Sequence, residues 1–496
     1  MNDRASPEPV VGAAASLLAA VGLEPTALEV QAPAQVLPSV FRVDVAAGAA
    51  VAALSAAVAQ LARHRTDGAP GPAPAPGAVT VNGRAAQIAF RSERYLRVDG
   101  QPPADPWAAL SGDYRTADGW IRVHANFAHH ATAAATALGV AAPVQRPALE
   151  AALRSVPSVE AESAIVAAGG VAAALRSLDA WSRSGQALAD RAYPVVRLGV
   201  VESDAAPRPW PRQHRDRDPA FVGGALDGLR VLDLTRVIAG PVCGRVLAAH
   251  GAEVLAVTAA HLPQIQLTFI DTGFGKRSTF LDLRQLADRR RFEALVRGAD
   301  ALVQSYRPGA LSALGYSSQQ LAELSPGLVI TEVRAYGSGG PWAQRRGFDS
   351  LVQSCSGIAH TAQHVAGAER PVSLPCQALD HASGWLAALG TVAGWLRQRG
   401  PGGAGGAGGT GGSWQVEVSL SATAAWLIDL GRDGDPTVVD PGPPDVEDLL
   451  RTTPSRYGLL RHVAMVGALN AAPLSWRTPP PLPGSSEPTW SPQPRL

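Results

Sequence analysis

Two stretches lying far apart in this 496-residue chain place an aspartate at the head of an apolar, alanine-rich run: Val43-Asp44-Val45-Ala46-Ala47-Gly48 and Leu379-Asp380-His381-Ala382-Ser383-Gly384. Laid without gaps, Asp44/Asp380, Ala46/Ala382, Gly48/Gly384, Ala52/Ala388, Ala57/Ala393 and Arg63/Arg399 coincide. Each run ends in a Gly/Pro-rich loop (67–77 and 400–412), and a short strand is expected after each loop, over 86–90 and 414–420. An acid at the start of a helix either caps it or offers a carboxylate for chemistry. The chain poses that choice twice, and the first question is which copy does chemistry.

Few other groups compete for a chemical role. Basic charge is almost all arginine, and the single lysine is Lys276. Cys243, Cys355 and Cys376 match no metal-ligand spacing, and their odd number gives no disulfide framework, so neither a metal centre nor a permanently bound cofactor is expected. With 43 basic against 42 acidic residues there is no global field to recruit nucleic acid or a membrane surface. The cysteine usage suits a reducing cytoplasm. Residues 10–23 lack a basic leader and read as a helix rather than a signal peptide. The run 43–62 approaches bilayer length, but it is Ala/Gly-dominated and interrupted by Ser55 and Gln60, which predicts a buried helix.

The elements that must position these residues become regular from Gly228. A strand (229–234), an Ala239-Gly240-Pro241 turn, a helix (242–250) and a second strand (251–257) make a βαβ unit. Helices near 292–296 and 317–324 alternate with strands over 301–304 and 328–333, which predicts an α/β domain with a parallel sheet. Earlier, 114–123 reads as a strand, an Asp-Gly turn and a strand, followed by helices to about 188. A Pro/Arg/Asp-rich break over 205–218 divides the chain. The expected layout is 1–206, a linker 207–224, a large domain 225–440, and a Pro-rich segment 441–496 that is partly irregular, above all over 479–496.

Several segments of the large domain resemble, in order, the class III (CaiB/BaiF-type) CoA-transferase family. They are Asp233 to Pro241 with Gly251-Ala252-Glu253-Val254; Gly275-Lys276-Arg277-Ser278; Ala299-Asp300 to Arg307-Pro308-Gly309; Tyr336-Gly337-Ser338-Gly339-Gly340-Pro341; and Phe348-Asp349 to Gly357. The resemblance implies a nucleotide-binding-like parallel-sheet domain beside a smaller α+β region. It puts Asp380 where the family carries its nucleophilic aspartate. Ile238, Ala239, Gly275, Lys276, Arg307, Arg334 and Tyr336 then fall where the family contacts coenzyme A.

The activity so implied moves CoA from an acyl-CoA donor to a carboxylic acid acceptor through an aspartyl anhydride and an aspartyl-CoA thioester. An aspartate of ordinary pKa, about 3.9, needs no general base at neutral pH. The N-terminal N–H groups of the helix behind Asp380 are expected to steady the oxyanion. Acyl-CoA and carboxylic acid are the implied partners, and family members are often interlocked dimers. Ala259 and Ala313 stand where members can place an arginine, which motivates a second reading as a non-catalytic homologue that binds acyl-CoA or a partner subunit. The family's racemase branch has a histidine where this chain has Phe348, and His360, His364 and His381 stand at other positions. A plain nucleotide-binding oxidoreductase would follow from the βαβ unit alone, but no G-x-G-x-x-G follows the first strand.

Residues 36–206 resemble the latter part of the same family, including a Tyr114-Arg115-Thr116-Ala117-Asp118-Gly119-Trp120-Ile121 element. The strand, AGP turn and CoA turns that precede the family's Asp helix are expected to be missing ahead of Asp44. The chain thus reads as a tail-half followed by a head-half, each able to supply what the other lacks, with Asp44 as a relic or a structural cap.

Overall fold

The computed structural model describes residues 6–32, 34–66, 79–202, 224–399, 412–469 and 472–491, so most of the expected linker and the tips of both Gly/Pro loops lie outside the described residues. Seven strands form the main sheet: β1 (Val196–Val201), β2 (Arg230–Leu234), β3 (Glu253–Thr258), β4 (Lys276–Phe280), β5 (Ala301–Gln304), β6 (Val329–Arg334) and β7 (Ser413–Ser419). Their spatial order is β4-β3-β2-β5-β6-β7-β1, all parallel except β1, which runs antiparallel to β7. Val and Leu fill both faces of β2, β3 and β5, as a parallel sheet covered on both sides requires. Because β1 comes from the N-terminal region, the sheet crosses the expected domain boundary.

The order reverses between β2 and β5, and the carboxyl ends of those strands open the crevice where α/β sheets bind ligands. The expected Ala239-Gly240-Pro241 turn is instead the first turn of the helix Ala239–Ala249. A proline this close to a helix start removes only an N–H that has no intrahelical partner.

The two aspartate runs are the helices Val43–Thr66 and Ala378–Arg399, and they pack against each other. Val43–Arg65 is long and apolar enough to cross a membrane by length and composition, yet its most apolar stretch is 83% buried inside the protein. Trp385 and Trp395 on the second helix are among the largest fully buried side chains.

The repeat runs deeper than the two helices. A parallel pair, Leu28–Gln31 and Val79–Asn82, brackets the Asp44 helix as β6 and β7 bracket the Asp380 helix. Gly48 lies against Val10 of the helix Glu8–Ala20, and Gly384 lies against Val242 of Ala239–Ala249. Those valines stand in matching sequences, Pro9-Val10-Val11-Gly12 and Pro241-Val242-Cys243-Gly244. The expectation that nothing of the head precedes Asp44 is therefore corrected. Its AGP-type helix and one strand remain, whereas no counterparts of β3 to β5 stand between them among the described residues.

The strand expected over 86–90 folds differently, whereas the described part of the Pro-rich tail is irregular as expected. The strand predicted over 86–90 is the helix Gly83–Ala89, with Val79–Asn82 as the strand before it. Asn82 caps that helix through Ala85 N–H, and buried Gln87 anchors it to the Ala34 and Gly83 carbonyls and to Val36 N–H.

The expected Pro-rich irregular tail, 479–491, is a strap across the exposed edge of β4. Its prolines leave it unable to form a regular ladder. Its Ser, Thr and Gly residues supply the bonds instead: Ser486 N–H to Ser278 O at 2.7 Å, Gly484 N–H to Ser278 Oγ at 3.1 Å, and Arg277 to the Thr489 carbonyl at 2.8 Å. Trp490 closes the strap, bonding Leu295 O at 2.9 Å under the Arg230 guanidinium. An open edge strand is an aggregation hazard, and this one is covered. Trp490→Ala is expected to cost about 1–3 kcal/mol, less than the ~3–5 of a core tryptophan because the ring is half-buried, read as a shift in denaturant midpoint.

Candidate functional site

Asp380 is the third residue of its helix, not the cap. The cap is Asp349, whose Oδ2 accepts Leu379 N–H at 2.8 Å and Asp380 N–H at 2.9 Å, while Gln353 holds Oδ1. Gln353 is itself fixed by Leu374 N–H. This corrects the expected oxyanion donors, because the first N–H groups of the Asp380 helix are already taken by a carboxylate. The Asp380 carboxylate, by contrast, has no hydrogen-bond partner among the described residues and faces a cavity of about 330 Å³.

Burial pushes the Asp380 carboxyl well above the usual carboxylate range, and the charges of Asp349 and Glu93 push the same way. Asp349 is fully buried, which raises its carboxyl to about 6 against the opposing pull of its three donors. Two acids this close cannot both ionise as easily as either alone.

The cavity walls come from both halves of the chain. Glu93, Trp107, His124 and Asn126 line it from the N-terminal side, and Val237, Ile238, Phe348 and Asp380 from the other. Glu93 bonds His381 Nε2 at 3.0 Å, tying the N-terminal half to the residue next to Asp380. Burial raises the Glu93 carboxyl, but the charge and hydrogen bond of His381 outweigh it, so its net shift is downward. His124 stacks flat on Phe348, with ring centroids 3.6 Å apart and planes 8° apart. Burial drives its pKa down to about 3, so the ring is neutral at ordinary pH. Trp107, Phe127 and His130 surround this pair. None of the N-terminal residues carries a local sequence signal, since their role depends on a contact between distant segments.

Val237 has φ 74°, a left-handed backbone that a β-branched side chain rarely adopts. It sits where the chain leaves β2, between the large cavity and a smaller one of about 50 Å³ lined by Thr235, Arg236, Thr258 and Lys276. Strain of this kind persists where surrounding structure enforces it, and it collects at ligand sites.

The residues expected to contact coenzyme A fall into separate places. Ile238 lines the Asp380 cavity and Lys276 the small cavity. Arg307 and Arg334 line a third hollow, about 210 Å³, at the ends of β5 and β6. Arg307 is exposed, whereas Arg334 is held by Glu332 at 3.3 Å and the Ala343 carbonyl at 2.9 Å. Ala239, Gly275 and Tyr336 line none of these three cavities. Ala239 lies under Gly384, where an added methyl would stand 2.5 Å from its carbonyl oxygen. Gly275, at φ 77°, is roofed by Trp476. Tyr336 is buried edge-on to Trp342.

Lys276 is not a surface cation. Its ammonium bonds Asp233 and the Pro241 carbonyl, each at 2.7 Å, and both charged side chains are buried. Gly244 lets the helix pass over this pair, since a methyl there would lie 2.5 Å from Asp233 Oδ2. Asp44 is equally occupied: Arg42 grips both its oxygens, at 3.0 and 2.9 Å, and reaches Asp433 as well. No group of three or more metal-ligating side chains occurs among the described residues.

Residues 226–431 match the family model for CoA-transferase family III. This segment belongs to that family. Among curated relatives, an acetyl-coenzyme A transferase of Hypoxylon pulicicidum is 32% identical over 240 residues, covering 48% of this chain and 38% of the relative. A formyl-CoA:oxalate CoA-transferase of Rhodopseudomonas palustris is 32% identical over 180 residues, covering 34% and 42%. The chain thus spans less than half the length of either. A crystal structure of a hypothetical protein from Mycobacterium tuberculosis aligns at 32% identity with a TM-score of 0.37, covering 41% of this chain and 56% of that one. The family III segment includes Asp349 and Asp380 but ends short of the strap.

Proposed function

We propose that this protein is an acyl-CoA:carboxylate CoA-transferase with Asp380 as its covalent nucleophile. The observation that carries the reading is a carboxylate with no hydrogen-bond partner among the described residues, facing a cavity inside a family III segment. Asp380 attacks the thioester carbon of the donor, forming a C–O bond as the C–S bond breaks and CoA leaves as thiolate. The thiolate attacks the aspartyl carbonyl and releases the donor acid, leaving an aspartyl-CoA thioester. The acceptor carboxylate then displaces CoA thiolate to form a new anhydride, and the thiolate takes the acceptor acyl group and frees Asp380. Every bond made is matched by one broken, and no metal or redox group is required.

The small cavity beside Thr235, Arg236 and Val237 lies where the strand order reverses, so it marks the approach for CoA, although at about 50 Å³ it is too small to enclose the pantetheine arm and pyrophosphate. Arg307, exposed at the end of β5, is a cation placed to meet a CoA phosphate. Lys276 acts from within, by fixing the strand ends that frame that cavity. A cytoplasmic setting fits the three free cysteines.

The test is incubation with a panel of acyl-CoAs, followed by intact mass and peptide mapping. The expected result is one covalent adduct per chain on the peptide holding Asp380, with CoA exchanged into added carboxylic acids. A non-catalytic acyl-CoA-binding homologue is the second reading, favoured by the engaged Lys276 and by buried Ala259 at a possible cation position. Saturable CoA binding without adduct or exchange would establish it, and no CoA binding at all would sink both.

A further inference from the structure

The Asp380 cavity is much larger than a formyl or acetyl group needs. Its volume of about 330 Å³ is roughly ten times the ~30 Å³ that one water occupies in the liquid. It lies near the lower bound of ~300–1,000 Å³ for clefts that enclose a drug-sized ligand.

The walls are as informative as the size. The Trp107 backbone N–H donates to Asp105 Oδ1 at 2.9 Å, and the Arg122 guanidinium lies 5.2 Å from the indole ring centroid. The residue is 38% exposed, and it lines the cavity. An indole that lines a cavity with uncovered apolar surface, backed by a guanidinium, is suited to contact an apolar group. Phe348 forms the adjoining wall, and neutral His124 stacked on its face extends that wall without adding charge. Pro102, Pro103 and Pro106 complete the rim with rigid apolar surface that loses little entropy when covered.

We propose that this cavity selects donors with a bulky apolar acyl group, of the size of an arylacetyl group, and that Trp107 and Phe348 set the preference. The inference rests on the CoA-transfer reading of the same site. It locates specificity in a wall that both halves of the chain build, Trp107 from one and Phe348 from the other.

The experiment compares acetyl-CoA, phenylacetyl-CoA and octanoyl-CoA as donors for adduct formation, with kcat/KM taken from the concentration dependence of labelling. Both bulky donors are expected to exceed acetyl-CoA by ~10-fold or more, in line with what several buried methylenes contribute in an apolar pocket. Trp107→Ala is expected to collapse that ratio toward unity, and Phe348→Ala to lower it. Acetyl-CoA labelling as fast as or faster than the bulky donors in the wild type would overturn the inference while leaving CoA transfer standing. A Trp107→Ala protein that slows all three donors in equal proportion would overturn it as well. Labelling by none of the three would remove the transfer reading itself.

Discussion

Asp380→Asn is expected to abolish adduct formation and to lower CoA exchange by ~10⁴-fold or more, because the amide cannot form the anhydride on which each later step depends. Asp44→Asn should leave the adduct in place. Both Asp44 oxygens are committed to Arg42, so its loss shows as stability, ~3 kcal/mol for breaking a buried pair, read by denaturant titration at unchanged labelling stoichiometry.

The active species is the Asp380 carboxylate, which burial and two acidic neighbours disfavour. Activity should therefore fall as pH drops through an apparent pKa well above the usual carboxylate range, where an unperturbed aspartate would hold its charge down to about 4. Asp349→Asn removes the nearer negative charge and should move this acid limb to lower pH. In stability the sign is opposite to that of a salt-bridged acid. With its folded pKa raised to about 6, Asp349 contributes stability that is complete below its unfolded pKa near 4 and is lost as pH rises through 6.

Lys276→Met is expected to destabilise the protein by about 3–5 kcal/mol, the cost of stranding Asp233 as an unpaired buried charge. Burial lowers the Lys276 pKa, and the charge and hydrogen bond of Asp233 oppose that fall. The double variant Asp233→Leu/Lys276→Met should recover much of the loss in the same denaturant titration. If the single variant unfolds at the wild-type midpoint, the pair is not holding the helix Ala239–Ala249 onto the sheet.

The sheet was readable because its signals are local. Leu232, Leu234, Val254 and Leu302 sit in short apolar runs punctuated by turn residues, and β2, β3, β5 and β6 fall within a residue or two of where those runs place them. The ordered motifs led to Asp380 for the same reason. What escaped notice depends on three-dimensional contact. Glu93, Trp107 and His124 join the site only because the N-terminal half folds over the other, and Asp349 becomes a cap only when Leu379 and Asp380 arrive beneath it. The strap escaped for another reason: proline abundance predicts the absence of a ladder, but says nothing of the Ser and Trp bonds that replace one. The matching Pro-Val-x-Gly sequences were visible throughout, and they gain meaning from the glycines they face.

The pairing of those two repeats within one polypeptide has a consequence for dilution. Where a site is shared between separate subunits, its population depends on their concentration. Here the Trp107 wall and the Asp380 helix are joined by the backbone, so the second wall is present at a fixed effective concentration, however scarce the protein becomes. A covalent link also frees the repeats from sameness. In a symmetric pair each substitution is imposed twice, whereas here Arg42 could close over Asp44 without any change at Asp380.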